Sequence, residues 1–404
     1  MSAPLSWKEL ASLPRAVLAL CAATLVNRAG SMVLAFLTLY ATQELGLDAD
    51  RAGFLLAIYG VGSILSSLTA GRISDRIGTH RVLVTSLVAS GAVLVGAAWA
   101  RSFGSLAACI AAWSLLAEAF RPAALAELNE SASPERRRLA YSLFQVALNA
   151  GVTIGSSVGG FLFAALPAAI FWVDGATSIL AGFVLLRLSP APDPAAPEGA
   201  ERPASHGATS AWRDPRLLAL LGAMILAWMV LFQLLGALPL TLHDRGMSPR
   251  QFGILLALES LLTVVAAIPV TRATARLRNE TVLVSGALLL GLGFGGYAFA
   301  GGFGAAILLM LVWSSGLMLM FPAGAARVGE LAPPGKQGEY AGLYMASFSL
   351  AFAVGPGLGT LAYARFGPRW VFGVCFVLCA IAALAILRVG GRKGAPELDS
   401  PASP

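Results

Sequence analysis

Residues 53–84 read GFLLAIYGVGSILSSLTAGRISDRIGTHRVLV, and residues 253–284 read GILLALESLLTVVAAIPVTRATARLRNETVLV. Aligned without a gap, Gly53 falls on Gly253, Arg72 on Arg272, Arg76 on Arg276, and Val82-Leu83-Val84 on the same three residues at 282–284. The 200-residue offset also carries Pro122-Ala123 onto Pro322-Ala323, Gly155 onto Gly355 and Gly159 onto Gly359. Chance gives one such match, not a series. The chain is an internal repeat of two halves.

Composition says what kind of halves. The chain is 57% hydrophobic and only 12% charged, with 44 glycines and a mean hydropathy of +0.76. Soluble domains carry about 25% charged residues. Twelve apolar stretches reach the length of about 20 residues that a bilayer crossing needs. They fall near 15–40, 51–71, 81–100, 103–127, 139–163, 167–187, 216–241, 250–271, 281–300, 303–327, 340–364 and 368–388. The first runs on directly from the N-terminus and reads as a retained span. The expected fold is an all-α polytopic membrane protein of twelve helices in two pseudo-symmetric six-helix bundles. The segment 189–214, SPAPDPAAPEGAERPASHGATSAWRD, has no apolar period and reads as a cytoplasmic linker. It separates a bundle over 1–188 from one over 215–390, followed by a cytoplasmic tail, 391–404.

Basic residues set the orientation. With the N-terminus inside, the inner segments hold twenty Lys and Arg, and the outer ones six: Arg51, Arg101, Arg245, Arg250, Arg365 and Arg369. Both termini are expected in the cytoplasm. The net charge of +7 is therefore a topology signal, and no nucleic-acid partner is expected. Cys21, Cys109, Cys375 and Cys379 lie in apolar runs and read as small buried hydrophobes. His80, His206 and His243 fall in predicted loops. No cofactor, metal site, nucleotide-binding loop or catalytic cluster is visible, so the chain reads as no enzyme. Two parallel six-helix halves that rock about a site between them form a transporter architecture.

The turn after the second span, GRISDRIGTHR at 71–81, holds Gly71, Asp75, Arg76, Gly78 and Arg81. It resembles the G-x-x-x-D-R-x-G-R-R loop of the major facilitator superfamily, with Thr79 and His80 where a basic pair often begins. The resemblance implies a cytoplasmic gate in which Asp75 bonds to the facing half and breaks away as the halves rock. The counterpart turn at 271–281 lacks the acid and both glycines, so a weaker gate is expected there. In the fifth span, Gly151, Gly155, Gly159 and Gly160 are similar to the G-x-x-x-G-P-x-x-G-G pattern of that superfamily's antiporters, with Ser156 in place of the proline. Gly355, Pro356 and Gly359 repeat it in the eleventh span. Small residues four apart also serve plain helix packing.

Five charges lie inside spans, where each needs a cavity or a partner: Arg28, Glu118, Arg121, Asp174 and Glu259. Glu118 and Arg121, three apart on a helix, are expected to pair. At the 200-residue offset Arg28 falls on Trp228, Glu118 on Met318, Arg121 on Phe321 and Asp174 on Val374. Symmetry of the scaffold does not require these charges, so proton coupling or substrate recognition explains them better. Asp174 and Glu118 are the expected proton carriers. Asn27, Tyr59, Gln145, Asn149, Trp228, Gln233, Trp313 and Tyr344 are candidate cavity-lining residues. The reading is a proton-coupled secondary transporter, monomeric, in a bacterial cytoplasmic membrane, with protons and a small molecule as its partners. Resemblance to drug–proton antiporters implies export of a hydrophobic or cationic compound. The alternative is proton-coupled uptake of a nutrient, peptide or organic anion, which Arg28 and Arg121 favour. A facilitator without ion coupling is a third class.

Overall fold

The structure is a computed structural model that describes residues 13–133, 136–188, 211–274, 276–333 and 336–391. Among these residues the chain forms twelve long helices. The first half comprises α1 (Arg15–Glu44), α2 (Ala49–Ile77), α3 (Thr79–Ala97), α4 (Phe103–Leu128), α5 (Arg137–Ala165) and α6 (Ala169–Leu188). The second comprises α7 (Pro215–Asp244), α8 (Pro249–Thr274), α9 (Asn279–Gly296), α10 (Phe303–Leu331), α11 (Gln337–Phe366) and α12 (Pro368–Gly391). Ten of these segments are long and apolar enough to cross a membrane. The other two are α9, which opens on Asn279 and Glu280, and α2, whose charged residues lie at its two ends around an uncharged stretch over 52–70; both pack among the others. Most of the expected linker, 189–210, and the tail from 392 lie outside the described residues.

Local chemistry sets the ends. Proline opens α7, α8 and α12, where its missing N–H costs nothing. Asp214 caps α7, accepting from Arg216 N at 2.8 Å and Leu217 N at 3.3 Å. Gly78, at φ +89°, makes the sharp turn from α2 to α3, a conformation that residues with a Cβ resist. His80 and His243 are helical, not in loops; His80 is buried in the first turn of α3. Of the cysteines, Cys21, Cys375 and Cys379 are buried, Cys109 is half-buried, and all are free.

The halves meet along two antiparallel pairs, α2 on α11 and α5 on α8. A Cβ built on Gly60 would lie 2.2 Å from Ala353 Cα, and one on Gly160 would lie 2.6 Å from Gly253 Cα. These contacts sit toward the arginine-poor end of the molecule. One apolar core runs through both halves there, with Phe36 stacked on Phe163 and edge-on to Phe252, each at 5.5 Å. Toward the arginine-rich end the first half has a separate core of its own around Leu20, Leu83 and Leu128. Following the same helix faces in that direction reaches Gln145, Val264 and Ala346, all exposed. The interface is sealed at one end and parted at the other.

Candidate functional site

The first half is split by a layer of polar side chains, and the layer begins at a break in α1. Arg15–Gly30 ends, Ser31 and Met32 are non-helical, and a new segment, Val33–Leu39, starts. Gly30 lies so close to α6 that a Cβ would fall 1.8 Å from Thr177 Oγ1. The break leaves backbone N–H groups of the new segment without helical acceptors. Asp174, 3% exposed on α6, supplies one: its Oδ2 accepts from Met32 N at 3.1 Å and Val33 N at 3.2 Å. A turn further along α6, Ser178 Oγ accepts from Asn27 Nδ2 at 2.9 Å.

Glu118 sits at a second interruption, in α4, between the helical segments Phe103–Ala117 and Phe120–Ser131, the latter running a turn past the apolar span. There it accepts a 2.5 Å hydrogen bond from Tyr59 Oη. The expected Glu118–Arg121 ion pair does not form: no carboxylate oxygen lies within 4.0 Å of Arg121 or Arg28 among the described residues. The interruption of α4 removes the regular helical register on which a three-residue pair depends. Arg28 Nε is buried without a hydrogen-bond partner. Arg28, Tyr59, Glu118, Asp174, Asn27 and Ser90 line one cavity of about 110 Å³, room for several water molecules. Three of the five intramembrane charges, Arg28, Glu118 and Asp174, therefore belong together, and Arg121 does not line that cavity. Glu259, on α8, stands apart and among the described residues accepts from its own helix, from Thr263 at 3.1 Å and Ser260 at 3.4 Å.

The second half repeats the broken helix and not the charge. In α7, Pro215–Leu231 gives way to a tight turn over Phe232–Leu234 before Ala237–Asp244. The α1 segment beyond its break reaches the break in α7: Thr38 Oγ1 donates to Leu235 O at 2.7 Å. Beside the break, Trp228 packs against Phe321 at 4.8 Å and Phe348 at 5.4 Å between ring centres. Tyr59 joins the two halves, its ring 4.7 Å from Trp113 and 5.6 Å from Phe352.

The remaining candidates divide. Gly151 and Gly155 lie against Arg28, Gly159 against Phe36, and Gly160 against Gly253 across the halves. Gly355 and Gly359 pack on Met229 and Gln233, and Pro356 on Gly236. Both glycine motifs thus serve close packing on the broken helices. Gln233 is buried, its Nε2 donating to Met229 O at 3.1 Å and Gly355 O at 2.8 Å. Trp313 is buried against Phe294 and Gly293, inside the second half and not at a cavity between halves. Tyr344 is buried beside Gly324; Asn149 is half-buried and Gln145 exposed. At the expected gate Arg76, Gly78 and Arg81 are exposed, whereas the surroundings of Gly71 and the side chain of Asp75 lie outside what the structure describes.

The sequence did not point to Ser178, Thr38, Phe348 or the N–H groups of Met32 and Val33. The Gly30-Ser31 pair inside a span was the available signal for the break. Chemically, the cavity brings one guanidinium, Arg28, together with two carboxylates, Glu118 bonded to Tyr59 and Asp174 fastened to the α1 break.

A family profile described as Major Facilitator Superfamily matches residues 20–248 and 234–403. The uncharacterized MFS-type transporter YqjV of Bacillus subtilis (strain 168) is 25% identical over 355 residues, 86% of each chain. The class C tetracycline resistance protein of Escherichia coli is 27% identical over 362 residues, covering 83% of this chain and 87% of its own. A crystal structure of the peptide transporter POT in complex with sulfate superposes with a TM-score of 0.77 at 18% identity, covering 95% of this chain and 98% of that one.

Proposed function

This chain belongs to the major facilitator superfamily, and we propose that it is a proton-coupled secondary transporter that takes up a small organic solute by alternating access, with Asp174 as the proton carrier. Basic residues place the arginine-rich end in the cytoplasm, so the sealed end faces outward and the conformation described is inward-open. The likeness to the peptide transporter supports the architecture.

One observation carries the choice of uptake over export. Asp174 holds the start of the α1 segment whose Thr38 bonds to the broken α7 at the outer seal. A charged acceptor makes stronger hydrogen bonds than a neutral one. A proton arriving on Asp174 therefore weakens that anchor and favours the outward-open state. An antiporter needs the reverse, because its protonated, empty form must cross alone to the inside. In a symporter the bias is useful: the protonated carrier waits outward-open and leaks no protons until solute binding closes it. The tetracycline resistance relative remains the support for export.

The test is made in proteoliposomes loaded with a pH-sensitive dye, with lipophilic cations, neutral drugs, organic anions and peptides added in turn. Solute-dependent proton entry that Asp174→Asn abolishes is the expected result. Proton release triggered by a cation would overturn the reading.

A further inference from the structure

The arginine-rich ends of the two halves differ in kind. In the second half, Glu280 in the first turn of α9 is paired with Arg278 at 2.6 Å and with Arg327 at 2.7 Å. At the 200-residue offset the first half has His80 where that acid stands, followed by Arg81. No carboxylate oxygen lies within 4.0 Å of either among the described residues. We propose that this corner binds an anionic phospholipid, its phosphate held by His80 and Arg81 and its apolar part lying in the groove between α3 and α6. The inference does not depend on the direction of transport.

The groove is a cavity of about 460 Å³ lined by Ile77, His80, Arg81, Val84, Thr85 and Leu186, with no acid in its wall. His80 is only 7% exposed, yet it forms part of that wall, and its ring has no hydrogen-bond partner among the described residues. An imidazole N–H is a donor offered to whatever fills the groove. Arg81 is exposed beside it, with a planar fork suited to a phosphate. Both lie in the first turn of α3, whose positive end favours an anion.

The rest of the groove decides between a lipid and a free anion. One turn beyond His80 the wall becomes apolar at Val84, and Ile77 and Leu186 flank it at 43% and 49% exposed. A free phosphate would leave that surface bare. Both α3 and α6 are long and apolar enough to cross a membrane, and Leu186 lies in the last turn of α6. The groove therefore sits where a headgroup meets its chains. Basic residues put this end in the cytoplasm, where the membrane surface is negative and basic pockets between helices take anionic headgroups. The second half has Glu280 and Thr281 at the equivalent positions, and an acid there repels a phosphate.

The experiment uses the full chain, purified in detergent and stripped of lipid, with thermal unfolding followed as lipid is added back. Phosphatidylglycerol should raise the unfolding temperature with a saturable midpoint. Phosphatidylcholine with the same chains should need about 10-fold more, because its choline offsets the charge, and inorganic phosphate should have no effect. Arg81→Gln, at an exposed position, should shift the phosphatidylglycerol midpoint by about 10-fold, the loss of a charge-assisted bond. Arg81→Lys should recover most of that loss. His80→Phe keeps a ring and removes the donor, and should shift the midpoint about 5-fold. Arg369→Gln, an exposed arginine at the other end of the molecule, should leave it within about twofold. Native mass spectrometry should find phosphatidylglycerol retained by the natural chain and lost from Arg81→Gln. An unmoved midpoint in Arg81→Gln would overturn the proposal, as would equal stabilisation by phosphatidylcholine or by inorganic phosphate alone.

Discussion

Asp174→Asn is the most informative single change, because asparagine keeps an acceptor oxygen where the carboxylate has one. Both backbone donors, Met32 N and Val33 N, go to the same Oδ2, so one amide oxygen can serve both and the break in α1 survives. What is lost is the charge. A hydrogen bond to a charged group is worth about 1.5–3 kcal/mol and a neutral one about 0.5–1.5 kcal/mol. Two bonds each losing about 1 kcal/mol give about 2 kcal/mol, or roughly 30-fold in an equilibrium. The variant imitates the protonated carrier, so that factor falls on the balance between the outward-sealed and outward-open states. A reporter cysteine at Ala353, which is buried in the seal against Gly60, should react with an impermeant maleimide from the arginine-poor side up to about 30-fold faster in the variant. Proton-driven accumulation should vanish while exchange of solute persists. Asp174→Ala should be worse, since two buried N–H groups lose their acceptor at about 1–3 kcal/mol each. Full proton-driven uptake in Asp174→Asn, with unchanged maleimide reactivity, would refute the reasoning.

Thr38→Val removes the hydroxyl that reaches Leu235 O but keeps its shape. It should raise the same maleimide reactivity about 5- to 10-fold, for a bond worth about 1 kcal/mol, without uncoupling protons from solute. Gly253→Val would drive a side chain into the Gly160 backbone, where even a Cβ would sit 2.5 Å from Cα. It should hold the outer seal apart and stop net transport, measurable as loss of uptake with protein still in the membrane. Tyr59→Phe leaves Glu118 without its 2.5 Å donor. Thermal stability in detergent should fall by an amount corresponding to about 1–3 kcal/mol, and Glu118→Gln, which retains an acceptor, should fall less.

The architecture was legible because it is written in long-range statistics: twelve apolar runs, a 200-residue repeat and an asymmetry of arginines. Single charges were legible too, since Asp174 and Arg28 are expensive anywhere inside a span. Their partners were not. Asp174 and Met32 are 142 residues apart in the chain, and only the packing of α6 across the α1 break brings them together. Spacing also misled where helices are interrupted. Glu118 and Arg121 look like a pair on an unbroken helix, but α4 breaks between Ala117 and Phe120, and Glu118 turns to Tyr59 instead. Trp313 looked like cavity lining because tryptophan suits cavities, yet it suits a helix interface against Gly293 equally well.

The asymmetry between the halves has a mechanical consequence. Both α1 and α7 are broken, and the α1 segment beyond its break is tied to the α7 break through Thr38 and Leu235. A titratable anchor on both would let one proton loosen half the seal and leave the other half shut. With Gln233 holding α7 to α11 through uncharged bonds, and Val374 standing where Asp174 stands in the first half, only one side of the joint responds to protons. The uncharged side then acts as a fixed strike plate, and the state of Asp174 alone decides whether α1 stays against it. Placing a carboxylate at Val374 should therefore not strengthen coupling. It would sit in an apolar pocket with Cys375, Leu378 and Trp370, with no free backbone donor assigned to it, and the cost of burying it would appear as lost protein stability.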